Sequence, residues 1–127
     1  MQKTYIGADL GGTKLLIGEM NAEGNLLRSR RYPSGPLNQR QALELFTRSL
    51  DEFLSESIPD CRPAAIGVGL LGRIDSRTGT WFEISPAVPS EEMPLGRILS
   101  ERYGLALLYR QRCAQRDEGR DALRQRL

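Results

Sequence analysis

The chain contains no histidine, which excludes imidazole as a general base and as a metal ligand. Cysteine is nearly as scarce. Cys61 and Cys113 are the only two and lack metal-ligand spacing, so neither a disulfide framework nor a zinc site is indicated. No stretch approaches the roughly 20 apolar residues of a membrane-spanning helix, and the chain enters its first strand without a charged and then apolar leader. A cytoplasmic protein with no membrane partner is the expectation. Excess positive charge is also missing from most of the chain. The formal net charge is +2, but residues 109–127 hold six arginines against Asp117, Glu118 and Asp121, a balance of +3 that leaves residues 1–108 at −1. That body has an ordinary surface and no nucleic-acid footprint.

What is present is one domain's worth of chain, 127 residues with 39 % apolar side chains, enough for a modest single core. Its most informative stretch is Tyr5-Ile6-Gly7-Ala8-Asp9-Leu10-Gly11-Gly12-Thr13-Lys14. A buried-type strand ends in a carboxylate, turns on two glycines and delivers a hydroxyl and an ammonium group. Glycine lets main-chain N–H groups approach phosphate oxygens closely and can adopt φ > 0. Asp9 is a suitable hard-oxygen ligand for magnesium, directly or through water. The spacing fits neither a Walker A loop nor a G-x-G-x-x-G dinucleotide fingerprint. Leu15-Leu16-Ile17-Gly18-Glu19-Met20 reads as a second strand, so the loop is a hairpin turn. Two readings stay open on these residues alone: a phosphate clamp, or merely a tight turn between strands.

Strands are predicted at about 4–9, 14–20 and 26–32, a meander closed by the turn Asn21-Ala22-Glu23-Gly24-Asn25. Pro33-Ser34-Gly35-Pro36 ends strand pairing. A helix is predicted over 39–55, with Leu43, Phe46, Leu50 and Phe53 or Leu54 on its apolar face. Ala64-Ala65-Ile66-Gly67-Val68-Gly69-Leu70 reads as a central strand buried on both faces, completing a crossover. Ser76-Arg77-Thr78-Gly79 is a turn signal before Thr80-Trp81-Phe82-Glu83-Ile84, so a small excursion hairpin is expected. An irregular loop with Pro86, Pro89 and Pro94 follows. A second helix then starts at Pro94 and closes at Gly104, and Leu105–Leu108 begins another strand.

Asp9-Leu10-Gly11-Gly12-Thr13-Lys14, the series Gly67-Val68-Gly69, Gly72, Ile74-Asp75 and Gly79, and Pro94-Leu95 with Glu101-Arg102 and Gly104-Leu105 together resemble the N-terminal domain of ROK proteins. These are bacterial sugar kinases and NagC-like sugar-responsive transcriptional regulators. The resemblance covers about residues 3–108 in order. It implies an α/β fold of the ribonuclease H-like, actin-like and hexokinase-like ATPase class: a mixed sheet opened by a three-stranded meander, with crossover helices. It further implies ATP with Mg2+ as cofactors and a hexose or amino sugar as partner. Gly11, Gly12 and Thr13 would face the ATP phosphates, Asp9 would help place the metal and Lys14 would add charge nearby. Gly69 and Gly72 would lie on the sugar side. Phosphoryl transfer of this kind rests on positioning, charge neutralisation and a carboxylate that takes the hydroxyl proton.

That carboxylate is where the chain departs from the family. The family's Asn-Asp pair would fall near residues 110–113, where Arg110-Gln111-Arg112-Cys113 stands. One encoding of Tyr109 to Cys113 is TAT CGA CAA CGA TGT. Read one base later it gives Ile-Asp-Asn-Asp and then Val, which restores the pair. A frameshift near codons 105–109 is therefore expected, with residues 1–108 the ATPase lobe and residues 109–127 an aberrant, out-of-frame basic tail. The competing reading of the tail is a basic helix for nucleic acid, with Arg112, Arg116, Arg120 and Arg124 every four residues; the interspersed acids and the lack of aromatics beyond Tyr109 weigh against it. Leu71 and Ala87 also replace residues that family members often use near the sugar, leaving sugar identity open. Trp81 and Phe82 suit either sugar stacking or hairpin packing, with packing favoured. The family's zinc cluster has no counterpart, and no winged DNA-binding segment is expected before residue 4. The chain is thus expected to be a kinase lobe that is silent alone, or a noncatalytic regulator or binding module of the same fold. Apolar surface at residues 66–72 and 105–108 predicts a homo-oligomer.

Overall fold

Alternation of apolar and polar residues gives the chain its strands, and a computed structural model describes residues 2–85 and 90–112. The order is β1 (Gln2–Leu10), β2 (Lys14–Asn21), β3 (Leu26–Pro33), α1 (Gln39–Ser55), β4 (Cys61–Leu71), β5 (Arg73–Asp75), β6 (Thr80–Glu83), α2 (Leu95–Tyr103) and β7 (Ala106–Arg112). The main sheet has the order β3-β2-β1-β4-β7, and β5 pairs with β6 in a separate two-stranded sheet. β1, β2 and β3 are antiparallel neighbours, whereas β4 runs parallel to β1 and β7 parallel to β4. This is the mixed α/β sheet expected from the sequence. β7 continues four residues beyond position 108. Residues 113–127, with most of the basic tail, and Pro86 to Pro89, with Ala87, lie outside the described residues.

Two of the predicted elements differ in detail. β4 begins at Cys61 and includes Pro63. Proline lacks an N–H donor, but β7 joins β4 only from Ala65 onward, and the β1 register shifts between Thr4 and Tyr5 beside it. Pro63 therefore sits where β4 is still an edge. The expected burial of β4 on both faces is also corrected: Ile66, Val68 and Leu70 are buried, whereas the alternate Ala65, Gly67, Gly69 and Leu71 are only partly covered. The hydrophobic core lies on the Ile66 side, formed with Ile6, Ala8, Leu10, Leu15, Ile17 and the buried residues of the two helices.

Helix α1 is punctuated by a capping box. The Gln41 N–H donates to Asn38 Oδ1 at 2.8 Å, and the Asn38 N–H donates to Gln41 Oε1 at 3.1 Å, satisfying two otherwise orphan donors. The buried stripe runs through Ala42, Phe46, Ser49, Leu50 and Phe53, so it is centred on Phe46 while Leu43 and Leu54 lie at its margins. Gly104 ends α2 in the left-handed conformation (φ 65°) and returns its N–H to the Ser100 carbonyl. The helices meet where Tyr103 Oη donates to the Asp51 carboxylate at 2.9 Å and Arg102 pairs with the same group. Arg102 first, and then Tyr103, hold the Asp51 carboxyl below its usual value.

Candidate functional site

The ends of β1 and β4, the β1–β2 turn and the first turn of α1 converge on one side of the sheet. They enclose a cavity of about 420 Å3 lined by Leu10, Gly11, Gly12, Gly35, Pro36, Leu37, Asn38, Gln41, Leu71, Ile84 and Ser85. A crevice beyond the carboxyl ends of parallel strands is where open α/β sheets bind ligands. Two of the five residues expected to bind phosphate and metal, Gly11 and Gly12, line it directly. The turn itself is braced by main-chain bonds: the Gly11 N–H donates to the Lys14 carbonyl at 2.9 Å, and the Ser34 N–H donates to the Thr13 carbonyl at 3.0 Å. The second bond ties the turn to the segment leading into α1.

Gly12 bears on the two readings of the glycine pair. A tight turn would need glycine for a left-handed φ, yet Gly12 has none, and a Cβ built there meets nothing within 4 Å. Neither the backbone nor the packing asks for glycine at this position. What glycine supplies is open access to the main chain on an exposed turn, with the Thr13 side beside it also exposed.

Asp9 is buried at 3 % exposure, on the sheet face opposite the core. Its neighbour across β4 is Gly69, where a Cβ would lie 2.9 Å from Asp9 Oδ1. Gly69, within β4, therefore clears the space that the Asp9 carboxylate occupies, a role that the expected place on the sugar side did not suggest. Lys14 shares the Asp9 face and is its diagonal neighbour, because Asp9 pairs with Leu16 two positions along β2. Among the described residues no three His, Cys, Asp or Glu side chains gather as a metal cage. Asp9 would thus hold magnesium with water and phosphate oxygens completing the shell, the usual manner of that ion.

Gly72 lies at the β4–β5 junction with φ 88°, and a Cβ there would fall 2.0 Å from the Glu83 carbonyl oxygen. Backbone geometry alone requires glycine at this point. Neither Gly69 nor Gly72 lines the cavity; Leu71 between them does. Trp81 is 1 % exposed and its Nε1–H donates to the Leu71 carbonyl at 3.1 Å, which fixes it as the packing residue of the hairpin. Phe82 stays partly exposed under the Arg73 guanidinium, 4.8 Å from the ring centre. The α1 side of the cavity was not anticipated from the sequence. Its signal was there in Asn38-Gln39-Arg40-Gln41 as a capping box and in the proline-glycine segment ahead of it.

No protein-family model matches the chain. It is 23 % identical over 107 residues to a glucokinase of Streptomyces coelicolor, a match over 81 % of this chain and 31 % of that protein. Among solved structures it superposes on a ROK family transcriptional regulator, a homologue of the E. coli MLC protein, with TM-score 0.75, 18 % identity and coverage of 87 % and 28 % of the two chains. It superposes on a ROK family glucokinase from Streptomyces griseus in complex with glucose and AMPPNP, with TM-score 0.65, 24 % identity and coverage of 85 % and 33 %. The class is therefore that of the actin-like, hexokinase-like α/β fold. Within it, the chain shares its fold with a ROK glucokinase and with the MLC homologue, and its sequence is similar to a Streptomyces glucokinase, in keeping with the resemblance carried by the glycine-turn and Gly67-to-Gly79 motifs. The chain spans about a third of the length of these relatives.

Proposed function

We propose that this chain is the phosphate-holding N-terminal lobe of a ROK-type sugar kinase. In this reading the Gly12 main chain and the Thr13 hydroxyl receive the phosphates of ATP on a turn that the Gly11 N–H braces, Asp9 places Mg2+ and Lys14 adds positive charge. A hexose or amino sugar would occupy the side of the cavity bounded by Leu71, Ile84 and Ser85, near Gly69 and Gly72. The observation that carries the reading is Gly12, a glycine on the cavity wall that the fold does not require. The similarity to a glucokinase and to a glucokinase structure holding glucose and AMPPNP supports the choice of ligands.

Gly12→Ala tests it. The substitution should leave thermal stability unchanged, since a Cβ has room, and should weaken binding of a nonhydrolysable ATP analogue with Mg2+ by about tenfold, the loss of one or two main-chain contacts at about 1.4 kcal/mol. Equal analogue binding by the variant and the parent would refute the role of the turn.

The chain carries Arg110-Gln111-Arg112 where the family's catalytic Asn-Asp pair is expected. On this ground the lobe by itself transfers no phosphoryl group to a sugar, and the sequence from 109 onward is read out of frame. Sequencing the DNA over codons 105–130 checks the frame: no single-base change restoring Asn-Asp would sink that part of the reading. The regulator alternative has its own support in the superposition on the MLC homologue. Binding of a sugar without ATP dependence would favour it. Ile66, Val68 and Leu70 are buried in the chain's own core and offer no surface for association, but Leu108, 70 % exposed on β7, supports association of the chain with itself.

A further inference from the structure

The two edges of the main sheet differ in how they are protected. β3 is guarded by Arg28, Arg30, Arg31 and Pro33, and Arg30 is pinned by Glu52 of α1 and by Glu56 at its C-cap, at 2.7 and 2.6 Å. Charges and proline on an edge strand are common devices against strand addition. β7, the other edge, has no proline and carries Arg110 and Arg112 at its far end, but Ala106–Tyr109 is uncharged, and no strand pairs with its outer side among the described residues. Midway along it stands Leu108, 70 % exposed, almost twice the exposure of Tyr5 at 39 % or Leu26 at 38 %. A row of unpaired main-chain N–H and C=O groups with an apolar side chain at its centre fits one kind of partner, an extended β-strand.

We propose that β7 is a self-pairing edge: two copies of the chain join through it in antiparallel register about a two-fold axis at Leu108. This rests on the self-association proposed above and specifies its interface. Antiparallel pairing about a two-fold axis requires that facing residues share a sheet face, so the axis must pass through a residue rather than between two. Three centres deserve comparison. An axis at Arg110 would set the two Arg110 guanidinium groups against each other, which costs free energy between like charges. An axis at Tyr109 would face Leu108 with Arg110 on the open side of the sheet. An axis at Leu108 places Leu108 on Leu108 of the second copy and lays each Arg110 across Ala106, where its methylenes can pack while its charge stays in water. On the core side the same register sets Leu107 opposite Tyr109. Of these three centres the chemistry of the strand favours Leu108, and the product is a continuous sheet in which both β7 edges are paired.

The test uses the full chain. In a Cys61→Ser, Cys113→Ser background, Leu108→Cys should form a disulfide-linked dimer under mild oxidation, at a rate rising with protein concentration. Tyr5→Cys, exposed on the same face but two strands away, should link at least several-fold more slowly. Sedimentation velocity should show a dimer for the parent and a monomer for Leu108→Lys, whose exposed position leaves the thermal melt unchanged. A parent dimer with Leu108→Cys no faster to link than Tyr5→Cys would overturn the β7 interface while leaving self-association intact. A monomeric parent at hundreds of micromolar would overturn both.

Discussion

At the residue scale, the glycines divide by what demands them. Gly72 is demanded by its own φ and by the Glu83 carbonyl, and Gly69 by the Asp9 carboxylate. Gly12 is demanded by neither, and this difference could not be read in the sequence, where each is simply a glycine of one of two motifs. The distinction depends on contacts between strands far apart in the chain. Tyr109 presents the opposite situation, a residue that fits its place imperfectly. Its ring packs against Gly79 and Gly96, and its hydroxyl is buried without a hydrogen-bond partner among the described residues. Burial alone pushes its pKa above the ordinary tyrosine value. A buried hydroxyl without a partner costs about 1–3 kcal/mol. Tyr109→Phe should therefore leave stability unchanged or raise it by about 1 kcal/mol in urea unfolding; a loss of that size would show that the hydroxyl is bonded after all.

At the scale of elements, polar contacts rather than hydrophobic pattern fix how the meander meets α1. Glu19 on β2 is 1 % exposed and is held by the Thr4 hydroxyl and by Arg28 Nε at 2.8 Å. Arg28 also donates to the Phe53 carbonyl at 2.7 Å, and its guanidinium lies 3.8 Å from the centre of the Phe53 ring. Removing the cation strands a buried carboxylate, so Arg28→Ala should destabilise the fold by about 3 kcal/mol. The double variant Arg28→Met, Glu19→Leu should recover most of that loss, and a double variant as unstable as the single one would contradict the explanation. The contact between the helices is weaker and depends on pH. Because the folded state lowers the Asp51 pKa, the stability it contributes is present above the unfolded carboxylate value near 4 and is lost as pH falls through the folded value. The group is exposed, so Asp51→Asn should cost no more than about 1 kcal/mol at neutral pH, with the difference vanishing in acid. None of these pairings was legible in the sequence, although the elements they join were. Alternation and helical periodicity act over a few residues and mark β1, β2, β3, α1 and α2 closely. The start of β4 and its half-open face depend on which strands lie beside it, information that local pattern does not carry.

At the scale of the whole molecule, a five-stranded sheet, a two-stranded hairpin and two helices among the described residues build a lobe with a cavity at the carboxyl ends of its strands. The order of motifs along the chain was enough to indicate the fold that it shares with ROK structures, because the motifs mark elements whose order defines that fold. The walls of the cavity were less legible, since half of them come from the segment between β3 and α1 and from the residues after β6. No helix among the described residues is long and apolar enough to cross a membrane. The central claim is that the turn after β1 receives nucleotide phosphate. It is tested most directly by following the backbone amides by nuclear magnetic resonance while a nonhydrolysable ATP analogue and Mg2+ are added. The account predicts saturable shifts centred on Gly11, Gly12 and Thr13 and extending to Asp9 and Lys14. Saturation with those amides unmoved, or no shifts at millimolar analogue, would contradict it.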